Sequence, residues 1–541
     1  MTVSVTTDLA TVSLAESTAD GGTWNRISGT SSGNPAADAD AFVQGTNCVA
    51  AKMGATTAAD VGVHFNHTTT FDLTNKVLFY WRQIVTPGNM QPKASGGIAI
   101  GLTNTSTTGT TWSTTNLKRW YIDGSDTMPI SPGWVPYCLD PLQASDVTTG
   151  TLTLSTLKNI GFLCNQVTSV TTTVSNQFVD AVRMGTGLTV TCSSGADVVT
   201  FSSIYTVDNT VANRWGLLTQ RDGIYYGIGV FNIGSASQAN VCNFTDSGQV
   251  LVWRKNIVAN TYYKFNLISA SATNKTTMSL TSCVIRGQSG QKWSIACDTN
   301  SAFTSYTCSI ADINTAVLSA GSILSGTSFN ACGLVTSNGA QITGSTFTAP
   351  TSSSQILCTA ASQVNNITNT TFNRSGTTSH AIEITGTAGN FTLSGVTFNG
   401  YAASNGSTGT EAVFVNIATG NVQITALGGS NPSIRTAGAT VTFAATPVSL
   451  SITVKEAATG AVVQNARVLV EKVSDGTDLL AGLTNASGVV SGSFSYTSDT
   501  PIQGVVRRAT AAYGTLYKPS TISGTITSAG FSATILLTSD E

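Results

Sequence analysis

Ser325-Gly-Thr-Ser-Phe-Asn330 is the first of four similar phrases in the middle of the chain. The other three are Thr343-Gly-Ser-Thr-Phe-Thr348, Thr368-Asn-Thr-Thr-Phe-Asn373 and Ser394-Gly-Val-Thr-Phe-Asn399. Their phenylalanines follow one another after 18, 25 and 26 residues. Self-similarity at a period of roughly 20–50 residues is typical of a solenoid, a propeller or an array. Short β-type runs separated by Gly, Ser, Thr and Asn lie between the phrases, which favours coils built from strands and turns.

Cysteines recur at nearly the same interval. Steps of 25, 24 and 26 residues separate Cys283, Cys308, Cys332 and Cys358. In a parallel β-helix each coil lies about 4.8 Å above the last, so an inward side chain lies on its equivalent one coil below. The sequence therefore predicts a parallel β-helix with columns of these cysteines and of Phe347, Phe372 and Phe398. The alternative is a β-sandwich whose Thr- and Ser-rich strands resemble one another through composition alone.

Few of the 541 residues are charged. Lys, Arg, Asp and Glu make up 10 % of the chain, so hydroxyl and amide groups supply most of its polarity. The formal charge of −2 gives no basic surface for nucleic acid. There is no apolar run of about 18 residues that would predict a membrane helix. The start, Met1–Asp8, lacks the basic and apolar regions of a signal peptide. We therefore expect a protein made in the cytoplasm that binds neither nucleic acid nor membrane.

The ten cysteines show no CxxC spacing, so the sequence predicts no zinc site and no other cofactor. Neighbouring coils would bring cysteines close enough for disulfides. A reducing cytoplasm favours buried free thiols instead.

Composition divides the chain into four segments. Residues 1–45 are rich in small and polar residues and predict an N-terminal arm, either docked on a neighbouring subunit or leading into an edge strand. Residues 46–270 read as strand after strand, with hairpin signals at Asp123-Gly124 and Asp222-Gly223, and predict an antiparallel sandwich. Residues 271–446 hold the β-helix, and cysteines stop in the last segment, 447–541.

The sandwich segment carries a family resemblance. Phe71-Asp-Leu73 leads into the long apolar run Lys76–Val85, which a Gly96-Gly97 strand follows. This order resembles the concanavalin-like jelly rolls of lectins and laminin-G modules. The resemblance implies a jelly-roll-like sandwich, and because it has no diagnostic motif, no sugar or calcium site is carried over.

The last segment has a more specific pattern. Val448–Val454 alternates like a half-buried strand. Thr459-Gly460, the strand Asn465–Val470 and the turn Thr484-Asn-Ala-Ser-Gly488 follow in order. This pattern resembles the carboxypeptidase regulatory-like, or prealbumin-like, family of Ig-type sandwiches. The resemblance implies a seven-strand module for spacing or docking, without an active site.

Acidic residues are scarce where an enzyme of β-helix type would need them. Glycoside hydrolysis needs two carboxyl groups roughly 5–9.5 Å apart. Between Asp312 and Glu456 the chain has only Glu383 and Glu411. These two would lie about one coil apart, so a stacked acid/base pair stays open. The pattern nevertheless favours a protein that is not an enzyme.

Two histidines, in His64-Phe-Asn-His67, suggest a metal site at first sight. On a strand, positions i and i+3 point to opposite faces. We therefore expect packed or surface histidines and no metal.

An aromatic cluster is the candidate for glycan contact. Sugar-binding surfaces combine an aromatic platform with polar partners, and such residues come together between positions 112 and 134. The predicted glycan-binding residues are Trp112, Trp120, Tyr121, Asp123 and Trp134. Packing in the core of a jelly roll is the alternative explanation.

A low-charge chain of β-modules, with a β-helix between a sandwich and an Ig-like domain, resembles structural proteins on the outside of tailed bacteriophages. The resemblance implies assembly in the host cytoplasm, a place in the virion, a homotrimer, and contacts with other capsid or tail proteins. We expect a non-catalytic virion surface protein, of the capsid-decoration or tail-fibre and spike type, that touches host surface polysaccharide. The alternatives are a tailspike polysaccharide depolymerase, either a hydrolase or a lyase, and a bacterial surface adhesin.

Overall fold

The structure is a computed structural model whose described residues are mostly strand, which confirms the predicted all-β class. It describes residues 3–13, 21–27, 35–52, 60–86, 90–107, 109–110, 112, 115–122, 133–165, 177–210, 212–254, 263–376, 378–406, 408–429 and 431–540. These residues divide into two compact units, Met1–Ala316 and Val317–Glu541. No helix within the described ranges is long and apolar enough to span a bilayer.

Unit one contains an antiparallel sandwich of two sheets, as predicted. The strands of its first sheet are, in spatial order, Val135–Leu139, Val77–Ile84, Gln177–Gly185, Cys48–Ala51 and Ala36–Asp38, with Ala10–Ser13 also paired to Gln177–Gly185. Those of its second sheet are Val147–Thr149, Leu117–Ile122, Ile98–Thr103, Leu157–Cys164, Val61–Phe71 and Gly22–Arg26. Alternate residues of both sheets meet in one apolar core, where Tyr80 stacks on Tyr137 with ring centroids 5.2 Å apart.

The described part of residues 1–45 is not a free arm. Val3–Thr7 pairs antiparallel with Gly187–Cys192, and the three later strands of this segment join the sandwich sheets. The Asp8 carboxylate accepts hydrogen bonds from the backbone N–H groups of Thr186 and Gly187, at 2.9 and 3.0 Å. The described strands of this segment lie at sheet edges, in line with the edge-strand alternative, because main-chain hydrogen bonds within the chain hold them.

Unit one also contains three parallel sheets. The first is formed by Gly187–Cys192, Val230–Ile233, Lys264–Leu267 and Trp293–Cys297. The second is formed by Val198–Val199, Cys242–Ser247, Thr276–Thr281 and Ala302–Tyr306. The third is formed by Ile224–Gly227, Val250–Trp253, Val284–Gly287 and Ser309–Ala311. The chain visits the three sheets in turn, and each visit to all three is called a passage below.

Parallel pairing starts at Gly187 in the structure, well before residue 271, the predicted start of the β-helix. The described residues between 187 and 270 therefore belong with the parallel sheets and not with the sandwich. The first passage also holds the helix Phe201–Asp208 and the hairpin Leu218–Arg221 to Ile224–Gly227. Asp222 and Gly223 turn that hairpin with φ of 52° and 77°, as their dipeptide predicts.

Unit two also contains parallel strands in three sheets. The first comprises Leu334–Thr336, Ser354–Ala360, His380–Thr387, Val413–Val415 and Ile434–Thr436. The second comprises Ile323–Ser325, Gln341–Thr343, Ile367–Thr368, Phe391–Ser394, Asn421–Leu427 and Thr440–Phe443. The third comprises Ser328–Asn330, Thr346–Thr348, Thr371–Asn373 and Thr397–Asn399. One further strand, Ile313–Val317, contains the boundary between the units, and 3₁₀ turns occupy Lys93–Ser95, Leu154–Thr156, Ala361–Asn366 and Ala511–Tyr513. In both units this pairing is compatible with the predicted parallel β-helix.

The phenylalanine column is present in the third sheet of unit two. Phe329 stacks on Phe347 with ring centroids 4.6 Å apart and an interplanar angle of 5°. The next steps, from Phe347 to Phe372 and from Phe372 to Phe398, measure 5.2 and 5.7 Å. These distances match the spacing of neighbouring strands, so each ring lies directly over its equivalent.

The predicted four-cysteine column is wrong in its second half. Cys283 and Cys308 occupy equivalent turns just before strands of the third sheet. Cys332 instead follows the strand Ser328–Asn330, and Cys358 lies in a strand of the first sheet. Equal spacing alone did not distinguish these positions, because unequal turns elsewhere in each passage shift the register.

Hydroxyl residues take the corresponding turn in unit two. The side-chain hydroxyls of Thr327, Ser345 and Thr370 donate to the carbonyl two residues earlier, at 3.3, 3.2 and 2.9 Å. The thiols of Cys283 and Cys308 make the same contact at 3.5 and 3.4 Å. This turn therefore selects a small side chain with a donor, whether cysteine, serine or threonine.

The last domain is a seven-strand sandwich, as its family resemblance implies. Its sheets are Val489–Tyr496, Thr446–Glu456 and Phe531–Leu537, and Asp478–Leu483, Arg467–Lys472, Thr500–Arg508 and Tyr517–Ile526. The Thr484 hydroxyl donates to the Val463 carbonyl at 2.6 Å and accepts from the Ala466 N–H at 2.9 Å. Asn485 Oδ1 accepts from the N–H of Val489 at 3.1 Å across the turn. The motif thus fixes the turn through side-chain hydrogen bonds.

Candidate glycan-contact surface

The aromatic residues predicted to bind glycan do not form one platform. Trp120 is 1 % exposed in the sandwich core, where its indole N–H donates to the Gln143 carbonyl at 3.1 Å. Trp112 is buried in a second cluster, with Tyr121 packed at its margin. Trp134 is half-buried against Phe178 in a third cluster. Asp123 lies outside the described residues.

The core-packing alternative therefore accounts for Trp112 and Trp120. A buried indole cannot stack on a sugar without unfolding its surroundings. Gly161 shows how closely Trp112 is held, because a Cβ built on that glycine would lie 2.6 Å from the indole ring. The indole fills the space that the missing glycine side chain leaves.

The structure places an open polar depression elsewhere, on the second sheet of unit two. It has a volume of about 360 Å³ and lies where the last two strands of that sheet meet. Its lining residues are Asn390, Asn421, Gln423, Thr440 and Thr442. We call these five residues the polar groove.

Strand alternation creates the polar groove. In Asn421–Leu427 and Thr440–Phe443 the polar residues face outward, while Val422 and Ile424 pack inside. Parallel pairing sets Asn421 beside Thr440. It also sets Gln423 beside Thr442, so the four side chains form a two-by-two array. Neighbours in such an array are about 4.8 Å apart between strands and about 6.6 Å apart along a strand.

Asn390 completes the groove from the preceding passage. Its Oδ1 accepts a hydrogen bond from the backbone N–H of Gln423 at 3.2 Å, which fixes the amide at the edge of the array. The passage before that repeats the contact, since Asn365 Oδ1 accepts from the N–H of Thr392 at 2.7 Å. The position of Asn390 is therefore set by the fold.

The chemistry of the groove suits a neutral polyhydroxyl ligand. Each amide side chain offers both donors and an acceptor, and each threonine hydroxyl offers both in one group. Sugar hydroxyls have the same dual character, so every pair can align without desolvating a charge. None of the described lining residues is ionisable.

No family model matches this chain. No curated protein matches it either. The polar groove is therefore interpreted from its own chemistry alone.

Glu411 is committed to its own loop. It is 0 % exposed, and its carboxylate accepts hydrogen bonds from the N–H groups of Thr408, Gly409 and Thr410 at 3.0 to 3.1 Å. The Thr408 hydroxyl donates a fourth, at 3.0 Å. A carboxylate held in this way stabilises a turn and has no path to a substrate in this conformation.

Glu383 is only partly buried and has two side-chain partners. Its carboxylate accepts from the Ser354 hydroxyl at 2.6 Å and from the Asn416 amide at 2.8 Å. His380 lies nearby, with Nδ1 2.7 Å from the Glu411 carbonyl and Nε2 3.3 Å from the Arg435 guanidinium. Burial, followed by the charge of Arg435, lowers the pKa of His380. Because the Glu411 carboxylate is buried in its own loop, it is not placed to act as the second carboxyl group of an acid/base pair with Glu383.

We expect Glu411→Gln to change how stability depends on pH. Burial alone would raise the pKa of Glu411, but the hydrogen bonds from its loop outweigh burial and leave the pKa lowered. A lowered folded-state pKa contributes stability above the unfolded value, about 4.3, that is lost as the pH falls through the folded value. The variant lacks this contribution, so the gap in melting temperature between wild type and variant should close below about pH 4. Calorimetry from pH 3 to 7 measures it, and Glu471→Gln, in another domain, is the control. A gap that stays constant with pH would contradict the assignment.

The two histidines of the 64–67 segment behave as expected of packed and surface side chains. Buried His64 has its ring nitrogens 3.1 Å from Asn159 Oδ1 and from the Gly109 carbonyl, whereas His67 Nδ1 contacts the Thr69 carbonyl at 3.0 Å. Burial lowers the pKa of His64. Within the described residues no group of three or more His, Cys, Asp or Glu side chains could hold a metal ion.

A sequence signal for the polar groove does exist. Asn-Val-Gln at 421–423 and Thr-Val-Thr at 440–442 share the pattern polar, apolar, polar, which places both polar side chains on one face. The glycan site was instead predicted at positions 112–134 because aromatic residues cluster there. The pairing of the two tripeptides depends on passage length, which the irregular repeat does not give.

Proposed function

We propose that this protein is a non-catalytic structural component of a bacteriophage virion surface that contacts host polysaccharide through the polar groove. The supporting observation is the array of Asn421, Gln423, Thr440 and Thr442, outward-facing and uncharged on a rigid parallel sheet. Strand register fixes the spacing of the array before any ligand arrives, so little ordering entropy opposes binding.

Carboxylates elsewhere in the chain support a structural role. The Asp180 carboxylate accepts from the N–H groups of Val43 and Gln44, at 2.6 and 2.9 Å. The Asp298 carboxylate accepts from the N–H groups of Ser269 and Ser301, at 2.5 and 2.7 Å. Like Glu411, these groups tie loops to the strands beside them. Acidic residues used in this way rigidify a scaffold.

The proposal includes the setting that the phage resemblance implies. The protein would assemble in the host cytoplasm, form a homotrimer and attach to other capsid or tail proteins. Purified virions test this part. Quantitative mass spectrometry of separated heads and tails should find the chain at a fixed, symmetric copy number in one of the two. Its absence from purified particles would overturn the virion assignment, whatever the groove binds.

A binding assay on host capsule and lipopolysaccharide polysaccharides tests the role of the groove. The protein should retain the polysaccharide without releasing new reducing ends. Release of reducing ends, and its loss in Glu383→Gln, would instead establish the depolymerase alternative.

We expect Gln423→Ala to weaken polysaccharide binding about threefold to tenfold, because it removes one side chain that can both donate and accept hydrogen bonds. Gln341→Ala is the matched control, since Gln341 is an exposed glutamine on the same sheet but outside the groove. Titration calorimetry at low and high salt measures both variants. Binding of a neutral polysaccharide should be nearly independent of salt, since the groove presents no charge to screen. Equal losses in both variants would place the contact elsewhere.

A further inference from the structure

Two cysteines of unit one lie side by side in the interior. Cys192 ends the first-sheet strand Gly187–Cys192, and Cys242 begins the second-sheet strand Cys242–Ser247 of the next passage. Their sulfur atoms are 3.5 Å apart. A disulfide requires about 2.05 Å, so the sulfurs need to approach by roughly 1.5 Å for a bond to form.

The two thiols make other contacts as well, among them backbone hydrogen bonds with Asn243 for Cys192 and with Gly234 for Cys242. Cys192 Sγ lies 3.7 Å from the Asp197 carbonyl, and Cys242 Sγ lies 3.9 Å from the Val190 carbonyl. Both contacts are long for hydrogen bonds, even with sulfur. Cys164 is held differently, since Arg82 donates to its sulfur at 3.0 Å. The 3.5 Å contact between the two sulfurs is shorter than the contact of either sulfur with a carbonyl.

We propose that Cys192 and Cys242 are a redox site that forms an intramolecular disulfide when the protein meets a small-molecule disulfide such as oxidised glutathione. The Cys192 thiolate attacks the reagent, forms a mixed disulfide and releases one glutathione thiol. The Cys242 thiolate then attacks the Cys192 sulfur and releases the second. Two protein thiols are oxidised to one disulfide, and one glutathione disulfide is reduced to two thiols.

The roles of the two cysteines follow from exposure and ionisation. Cys192 is 7 % exposed and Cys242 is 0 % exposed, so a reagent meets Cys192 first. The hydrogen bond between the two thiols lowers the pKa of one sulfur and raises that of the other, and the thiolate forms on Cys192 because it is the more exposed of the two. Cys192 is therefore the attacking thiol and Cys242 the resolving one.

The disulfide would join the first passage of the parallel sheets to the second. It would close a loop of 50 residues, from 192 to 242, which includes the helix Phe201–Asp208. Cys192 also pairs with Val3 of the strand that covers the edge of the first sheet. Terminal passages of a stacked array have a neighbour on one side only and open first. A covalent tie here therefore protects the end at which unfolding would begin.

The test compares full-length protein in oxidised and in reduced glutathione. After incubation, free thiols are alkylated in denaturant and the chain is digested with trypsin, which separates peptide 184–214 with Cys192 from peptide 222–254 with Cys242. Oxidised protein should yield the two peptides joined, about 2 Da lighter than their sum. The melting temperature should rise by roughly 5 °C or more, because the tie constrains the unfolded chain.

Variants and a second route to oxidation make the result decisive. Cys192→Ala and Cys242→Ala should abolish both the joined peptides and the shift, whereas Cys358→Ala, a buried cysteine of unit two, should keep them. Refolding from denaturant in oxidised glutathione is a second route to the same disulfide, because both thiols are accessible to the reagent while the chain is unfolded. If both cysteines stay alkylatable after both treatments, or Cys192 stops at the mixed disulfide, the proposal is wrong. A joined pair without stabilisation would overturn only the protective role.

Discussion

Phe372→Ala should destabilise unit two by about 3–5 kcal/mol, the usual cost of deleting a buried phenyl ring. Phe372 is 0 % exposed, and its ring lies between those of Phe347 and Phe398 at 5.2 and 5.7 Å. Removal leaves a cavity with a ring on each side. Rigid strands above and below prevent the cavity from closing. The free energy of unfolding therefore falls by both the transfer free energy of the ring and the van der Waals contacts that the ring made.

Limited trypsin digestion measures this effect locally, because Arg374 follows Phe372 by two residues. Cleavage after Arg374 should become much faster in the variant. Phe398→Ala is the matched control, since Phe398 is half-buried and is the last of the four stacked rings described above. Phe398→Ala should lower the free energy of unfolding clearly less than Phe372→Ala does. Similar cleavage rates in both variants would show that the stacked rings do not stabilise the column.

Gly187→Ala should have the second large effect and should prevent the first parallel pairing from forming. A Cβ at Gly187 would lie 1.9 Å from the carbonyl oxygen of Val230 and 2.6 Å from its nitrogen. Both are backbone atoms of the neighbouring strand, so no side-chain rotation relieves the clash. The strands Gly187–Cys192 and Val230–Ile233 would have to separate, and their hydrogen bonds would be lost.

Gly195→Ala is the control, because a Cβ there meets no atom within 4 Å. Soluble yield, far-ultraviolet circular dichroism and melting temperature should be near wild type for Gly195→Ala. They should be severely reduced for Gly187→Ala. A folded Gly187→Ala protein of ordinary stability would contradict the close approach of these two strands.

Several features were predictable because a local pattern determines them. Stacked rings at Phe347, Phe372 and Phe398 follow from like residues at a steady interval. The hairpin at Asp222-Gly223 follows from its dipeptide, and the Thr484 turn from its family motif. In each case the residues that carry the signal are close in sequence or identical in type.

The start of the parallel sheets was not predictable in the same way. Early passages fill their interior with an irregular aromatic cluster that includes Phe231, Trp253, Phe265 and Trp293. Different large rings can share one interior volume, so they leave no repeated residue to detect. The helix Phe201–Asp208 also lengthens the first passage and hides its period.

The predictions of the four-cysteine column and of the glycan-contact residues missed the observed arrangement for a related reason. One turn accepts Cys308 in unit one and Ser345 in unit two, because either side chain is small and can donate to a carbonyl. A search for cysteine alone therefore misses the equivalent positions that hold serine or threonine. The polar groove depends on pairing between Gln423 and Thr442, which only the register reveals.

The stack of Phe329 on Phe347 has a consequence for how such a chain can evolve. Only 18 residues separate these two, against 25 between Phe347 and Phe372, yet the 18-residue step gives the closest and flattest contact of the three. Loop length can thus drift by several residues while the interior alignment stays intact. Duplication or deletion of one whole passage would lengthen or shorten the parallel sheets by about 4.8 Å at a time and leave the outward-facing side chains of the other passages unaltered.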